Sequence, residues 1–498
     1  MAKLYSSFVS KTQQIADIGN SIAVLSWDKE VNLPKGSARF RSQQISTLAT
    51  LAHSFAVDKK YRRLVEKLAA DKSLNRQQKK NVKLTLESIE KATKFDSAFV
   101  KRRSELVSQA YHDWVKAKEA NDHTVFLPAL EKLLVLNKEE AEILGYKKHP
   151  YDALLDIYEP KLTVAKLDGL FKPLKRDLKK ILRKINATKQ IDNTFLFKRY
   201  SKNTQWQYGL DILEQIGYDF NIGRQDISIH PFTTSFSSQD VRVTTRIDEN
   251  DFSNMLWSCI HEGGHALYEM GLPAEQYGLP LGEAVSLGIH ESQSRLWENN
   301  VGRSLPFWKH NFKSLKKKFP KQLEGVSLRK FYKAINKVSP NLIRTEADEL
   351  HYHFHVIIRY EIEKELMEGT ISVNDIKTQW NKKYKSYLGV DVPDDARGML
   401  QDIHWSHGSF GYFPTYSIGS LYAAQLYVQA KKDIEGLETQ ISKGNSTPLL
   451  AWLRENIHIH GRMYHPEQLC KRITGEGLNS KYFLKYAMEK YSDVYGIR

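Results

Sequence analysis

Between residues 38 and 127 the chain runs for 90 positions without one glycine or proline. Those two residues punctuate chains: glycine admits the positive φ of tight turns, and proline breaks helices and central strands. A stretch this long without either favours successive helices over a β architecture. The apolar residues agree. Ile45, Leu48, Leu51 and Ala52, then Leu64, Leu68 and Ala69, recur at three and four positions and so line one helix face. Polar breaks are expected at 71–75 and 121–124. The same period fills 164–185, 206–216, 342–368 and 420–434. Over all 498 residues, 27 glycines and 15 prolines make about 8% of the chain, against a usual ~12%. No Ser/Gly/Pro-rich linker, fixed repeat or low-complexity tract divides the helical segments. The expected class is mainly α, with 1–498 a single domain.

Lysine and arginine (74) outnumber aspartate and glutamate (58), for a formal charge of +16. Such a surplus attracts polyanions, so a nucleic-acid partner has to be weighed. The lysine runs at 79–80, 316–318 and 382–385 are short and scattered, and none belongs to a nucleic-acid motif. Solvated faces account for them, and no nucleic-acid partner is expected. Cys259 and Cys470 are too few for a disulfide framework. The N-terminal residues hold no apolar run of the signal-peptide kind, and nowhere do 18 apolar residues follow one another. The expectation is a cytoplasmic protein with no membrane span.

One stretch departs from the helical pattern. Residues 227–247 read ISIHPFTTSFSSQDVRVTTRI. Val241, Val243, Thr245 and Ile247 alternate with Arg242, Thr244 and Arg246, the period of a strand, and SSQD offers a turn. A small β-hairpin is expected here, just before the most informative helix.

That helix carries His261-Glu262-Gly263-Gly264-His265, an H-E-x-x-H sequence. With 17 histidines in the chain, chance supplies roughly 0.03–0.04 such matches. Asn250 or Asp251 can cap the helix, Phe252, Met255, Leu256, Cys259 and Ile260 give it an apolar face, and Gly271 can end it. One turn apart, the two imidazoles face the same way and can share a Zn²⁺. Glu262 points in an adjacent direction, close enough to serve as a general base without being a ligand. Gly263 and Gly264 each lose about 1 kcal/mol of helix propensity relative to alanine, so their backbone is expected to lie close to a neighbouring helix or a bound peptide.

A catalytic zinc takes a third protein ligand and keeps one position open. Glu291 is the better candidate, in HESQSRLWENN, where Leu287, Ile289, Leu296 and Trp297 mark a second amphipathic helix. Glu283 is the alternative but sits in the turn-like LPLGEAVS, and His290 is read as an outer partner rather than a ligand. Arg344, in LIRTEADEL at the start of a long helix, offers a permanently charged fork for a carboxylate. The loop at 401–416, QDIHWSHGSFGYFPTY, can deliver histidine and tyrosine donors to an oxyanion.

Together these residues make the chain resemble the Taq-type thermostable metallocarboxypeptidase family. The resemblance rests on HPF (His230, Pro231, Phe232), DxRxT (Asp240, Arg242, Thr244), HExxH, HESQ, IRTxADE and QDxHWxxGxxGYFPTY, in that order. Further matches at 25–44 and 460–478 extend it over nearly the whole chain. It implies a saddle-like helical fold with a deep groove, a helical wall over about 1–200 and the metal and groove region over about 201–498. It also implies one zinc or cobalt ion per chain, homodimers, and release of single C-terminal residues from peptides with broad specificity. Carried over by motif, His261, His265 and Glu291 are ligands and Glu262 is the base. Arg344 would take the substrate's free carboxylate, and His404, Tyr412 and Tyr416 would touch substrate or transition state. The HPF and DxRxT segments would close one end of the groove. A metallo-endopeptidase or oligopeptidase of the same chemistry is the alternative. A basic nucleic-acid-binding protein with a structural metal is the remote one.

Other histidines invite a second metal. His351, His353 and His355 follow the arginine motif, and His458, His460 and His465 lie near the C-terminus, but neither group has a well-spaced acidic third ligand. Structural or solvated roles are expected for both. Cys259, about 200° around the helix from His261, is expected to be a buried packing thiol.

Overall fold

The computed structural model describes residues 2–497. The first nine helices are α1 (Ala2–Val31), α2 (Ala38–Ala56), α3 (Lys59–Ala69), α4 (Arg76–Thr93), α5 (Ser97–Ala120), α6 (Leu127–Leu144), α7 (Pro150–Tyr158), α8 (Val164–Asn186) and α9 (Lys202–Ile216). Three strands follow: β1 (Gly223–Ile227), β2 (Thr233–Ser237) and β3 (Asp240–Thr245). Then come α10 (Phe252–Met270), α11 (Leu287–Arg295), α12 (Leu305–Lys318), α13 (Leu328–Ile335), α14 (Glu349–Glu368), α15 (Ile376–Leu388) and α16 (Pro414–Asp433). The chain closes with α17 (Leu437–Ser442), α18 (Thr447–Asn456), α19 (Pro466–Thr474) and α20 (Lys481–Tyr495). The fold is mainly α, and no described helix is long and apolar enough to cross a membrane.

The breaks expected at 71–75 and 121–124 are present, but two more divide the glycine-free stretch. Each lies where an aspartate caps the next helix: Asp58 accepts from Tyr61 N and Asp96 from Phe99 N. A single side-chain oxygen at the N-cap is enough to start a new helix without any glycine. Phe8, Tyr61, Val65, Leu68, Leu74, Val82, Ile89 and Leu279 form a small core of their own beneath α1, α3 and α4. α2 buries no side chain.

The expected hairpin is β2–β3, and the sheet has one strand more than the sequence suggested. Its order is β1-β3-β2, with β1 parallel to β3 and β2 antiparallel. Residue 227 therefore ends β1 instead of opening the hairpin. β1 reads GRQDI, and its polar residues carry none of the period-two hydrophobicity that marks a half-buried strand.

α14 and α16 are buried on nearly every side, as central helices of a large core. α14 starts later than its pattern implied. Residues 342–348 are irregular, with Arg344 in a single 3₁₀ turn, because Asp348 caps the helix by accepting from Leu350 N and His351 N. Arg344 is thus held in a fixed loop just ahead of the helix.

Candidate metal centre

Asp251 caps α10, and Phe252, Met255, Leu256, Cys259 and Ile260 are buried along its inner face. That packing fixes the rotation of the helix and turns His261 and His265 to a common side. Their Nε2 atoms lie 3.7 and 3.4 Å from Oε2 of Glu291 on α11, and the three ligand atoms are within 4.8 Å of one another. Glu291 is 6% exposed. Glu283, the alternative, is on the surface and pairs with Arg462.

The remaining nitrogens of both imidazoles are already engaged. His261 Nδ1 lies 2.9 Å from Glu298 Oε2, and His265 Nδ1 lies 2.6 Å from His290 Nδ1. His290 Nε2 in turn reaches Glu269 Oε1 at 2.8 Å. A cation held at His265 Nε2 would require the proton on Nδ1, which then donates to His290 Nδ1 while His290 Nε2 donates to Glu269. Two imidazole nitrogens beside a carboxylate oxygen are a donor set suited to a divalent cation of borderline softness, so the residues present fit one.

Charge around the ligands is compensated. Arg295 donates to Glu291 Oε1 at 2.7 Å and to Glu298 Oε2 at 3.3 Å, while Arg303 donates to Glu298 Oε1 at 3.0 Å. Burial would raise the Glu291 pKa, but Arg295 and both histidines outweigh it and hold the carboxylate well below its ordinary range. Glu298 sits in the buried segment Leu296–Gly302, which continues α11 with π-helical winding. Such local unwinding re-aims side chains and often marks a site.

Glu262 is buried, 8% exposed, and is not among the converging ligand atoms. Thr233 Oγ1 lies 2.7 Å from its Oε2 and 2.9 Å from its backbone carbonyl. Thr233 opens β2 directly after the HPF segment. Thr244 holds that segment: its Oγ1 accepts from Phe232 N at 2.9 Å and lies 2.7 Å from Ser228 Oγ, which donates to His230 O. His230 itself is exposed, and Pro231 and Phe232 are half-buried. Asp240 and Arg242 pair with each other at 2.8–2.9 Å, and the guanidinium stacks on Trp27 of α1 at 4.4 Å. The two motifs therefore brace the sheet against α1 and present Thr233 to Glu262.

Gly263 and Gly264 mark close helix approaches, one on each side of α10. A Cβ on Gly263 would lie 2.7 Å from Leu213 Cδ2 of α9; one on Gly264 would lie 2.7 Å from Ser294 Cα and 2.8 Å from Gln293 O of α11. Backbone cannot yield as a side-chain tip can. Gly264→Ala is therefore expected to destabilise the protein by ~1–3 kcal/mol despite its better helix propensity. A lowered denaturant midpoint would show it, and an unchanged or raised midpoint would refute the packing argument.

Arg344 is 5% exposed and is connected to the metal centre through one ring. Its Nη1 donates to Tyr352 OH at 2.9 Å, and Arg295 lies over the Tyr352 ring at 4.3 Å. Tyr416 stacks under Arg344 at 4.6 Å and meets His404 Nε2 at 3.1 Å through its hydroxyl. The Tyr412 ring packs against both Tyr416 and His404. Burial, then the charge of Glu291, pushes the Tyr412 phenol up, so it stays a neutral donor. Burial holds His404 down at about 3, with Arg344 and Arg359 acting in the same direction. The structure thus gathers Arg344, His404, Tyr412 and Tyr416 into one nest.

The other histidines have partners suited to structure: His351 with Asp348, His353 with Ser417, His355 with Tyr384 and His458 with Gln293. Cys259 is buried against Gln225 and Met255, away from the ligand atoms. Sequence reasoning missed Thr233, Glu269, Arg295 and Glu298. None of the four left a signal in the local pattern, Glu298 included, because it stands beside the polar Asn299 and Asn300.

The chain is similar to known proteins along nearly its whole length. The family model for the carboxypeptidase Taq (M32) metallopeptidases matches residues 7–491. Carboxypeptidase 1 of Bacillus subtilis is 39% identical over 490 residues, covering 98% of both chains. The crystal structure of M32 carboxypeptidase from Deinococcus radiodurans R1 superimposes with a TM-score of 0.98 at 39% identity, covering 99% of this chain and 100% of that one. A solved structure named CHT reaches 55% identity and a TM-score of 0.97, covering 98% and 99%.

Proposed function

Because the chain belongs to the carboxypeptidase Taq (M32) metallopeptidase family, it is a metal-dependent carboxypeptidase, and we propose the following division of labour among its residues. His261, His265 and Glu291 would hold one divalent ion, zinc or cobalt. The observation that carries this is the convergence of the two Nε2 atoms and Glu291 Oε2. When bound, such a metal polarises a carbonyl oxygen and makes water nucleophilic near neutral pH.

Glu262 draws the proton from the attacking water and passes it to the leaving amine, held in place by Thr233. Arg344 receives the carboxylate of the last residue, which sets the cleaved bond one residue from the end and gives release of single residues. Tyr416, Tyr412 and His404 supply neutral hydrogen-bond donors beside the developing oxyanion. The braced HPF and DxRxT segments limit how far a substrate extends past Arg344. A cytoplasmic homodimer with broad specificity belongs to the same proposal and rests on resemblance to the family.

An N-blocked dipeptide with a free C-terminus and its C-amidated twin provide the test. The free acid is expected to be cleaved at least ~100-fold faster in kcat/KM, since the amide leaves a buried cation unmatched. Equal cleavage would overturn the exopeptidase reading in favour of an endopeptidase. Chelation should abolish turnover, and elemental analysis should return one ion per chain after zinc is restored.

A further inference from the structure

We propose that Arg359 is a positioning residue for the substrate: it neutralises Asp402 from the far side and so leaves Arg344 with a net positive charge for the C-terminal carboxylate. This rests on the reading of Arg344 as the carboxylate site. Asp402 lies between two guanidinium groups. Its Oδ1 accepts from Arg344 Nε at 3.0 Å, with Arg344 Nη2 at 2.9 Å. Its Oδ2 accepts from Arg359 Nε at 2.7 Å, with Arg359 Nη2 at 2.6 Å. Arg359 is 0% exposed.

Beyond Asp402, the acid whose charge reaches Arg359 is Glu363; burial pushes its carboxyl up to about 7, and its oxygens already accept from Tyr151, Trp405 Nε1 and Gly411 N. Burial, then Arg359 and Arg344, keep the His355 imidazole neutral, and His404 is neutral for the same reasons. Burial keeps the Tyr384 and Tyr416 phenols un-ionised. Lys118, which donates to Gln401 O at 3.3 Å, is of the same sign as the arginines. Two buried guanidinium groups thus share the one carboxylate of Asp402.

Their donors are used unequally. Arg359 spends its other nitrogen on His355 O at 2.8 Å and on Tyr384 OH at 3.4 Å, and stacks on Trp380 at 4.4 Å. Arg344 has five N–H groups, of which Nε and one on Nη1 donate and Nη2 faces Asp402. At least one N–H on each terminal nitrogen remains, the fork a carboxylate accepts. With Asp402 alone beside it, Arg344 would be neutralised, and an incoming carboxylate would meet the aspartate's charge as well. Arg359 removes that opposition. Aromatic faces stabilise the surplus cation until substrate arrives.

The test is steady-state kinetics on the metal-loaded enzyme with the free-acid dipeptide. It is paired with inhibition by N-acetylphenylalanine and by its amide. Arg359→Met is expected to raise KM and the Ki of the acid at least ~10-fold with kcat within ~3-fold, because it removes uniform binding. Adding Asp402→Asn restores the one-cation surplus and should return both constants to within ~3-fold of the parent. Arg359→Lys, which keeps the charge, should lie nearer the parent than Arg359→Met. The proposal is overturned if Arg359→Met lowers kcat at unchanged KM, or if the double variant is no better than the single. Should Arg359→Met not fold, the double variant, which removes both buried charges together, still decides: a tenfold rise in its KM overturns the role. Arg344→Met separates the two readings. If it leaves KM and the acid–amide preference intact, the carboxylate site and this role fall together. If it abolishes them while Arg359→Met does nothing, only the role of Arg359 falls.

Discussion

Glu262→Gln is expected to lower kcat by about 10²- to 10⁴-fold while the protein still binds one metal ion per chain. The substitution is nearly isosteric, and its amide oxygen can still accept from Thr233 Oγ1, which lies 2.7 Å from the native Oε2. What it loses is the ability to take up a proton. Glu262 is not one of the converging ligand atoms, so metal content should not change. His265→Ala is the contrast, since it should lose metal and turnover together. Rapid-mixing kinetics with elemental analysis of the same sample checks both. A fully active Glu262→Gln enzyme would remove Glu262 from the base role and leave the metal assignment standing.

Glu291→Ala carries the second large effect, and it has two parts. The first is loss of one of three donor atoms, which should abolish stoichiometric metal binding. The second is independent of metal. Glu291 holds Arg295 at 2.7 Å, and the arginine side chain is only 13% exposed, with Glu298 at 3.3 Å as its remaining carboxylate. Breaking a buried pair from one side typically costs 3–5 kcal/mol because the surviving charge stays buried, and Glu298 should hold the loss to about 3. The measurement is the denaturant midpoint of metal-free parent and variant, which keeps metal linkage out of the comparison. Glu291→Gln retains volume and a hydrogen-bond acceptor and should unfold closer to the parent. A metal-free Glu291→Ala protein as stable as its parent would show that Arg295 does not depend on this partner.

What could be read from the residues alone follows from which signals are local. The H-E-x-x-H spacing places two imidazoles on one helix face by geometry, and Glu291 was recoverable because an acid among Ile289, Leu296 and Trp297 requires a partner. The outer partners were not recoverable. Glu298 reaches His261 through the π-helical winding of Leu296–Gly302, a departure from the 3.6-residue turn that no periodicity anticipates. β1 was hidden for a related reason: its pairing with β3 is parallel and long-range, and GRQDI shows no alternation. Arg359 was visible only as a charge inside HVIIRYEIE. Its partner Asp402 lies 43 residues further on, a juxtaposition made by the fold. The late start of α14 had a local cause in Asp348, overlooked because the apolar period continued through it.

The packing of Glu291 against Gly419 sets an order in time. A Cβ at 419 would lie 2.5 Å from Glu291 Cγ, so α16 forms the back wall against which this carboxylate rests. The His265 codon is translated 154 residues before that glycine. At ~5–20 residues per second, both histidines leave the ribosome roughly eight to thirty seconds before the wall that seats their third ligand exists. Through that interval the nascent chain carries a hydrolase sequence without a hydrolase site. Activity is thereby deferred until most of the protein has been made, a safeguard that arises from chain order alone.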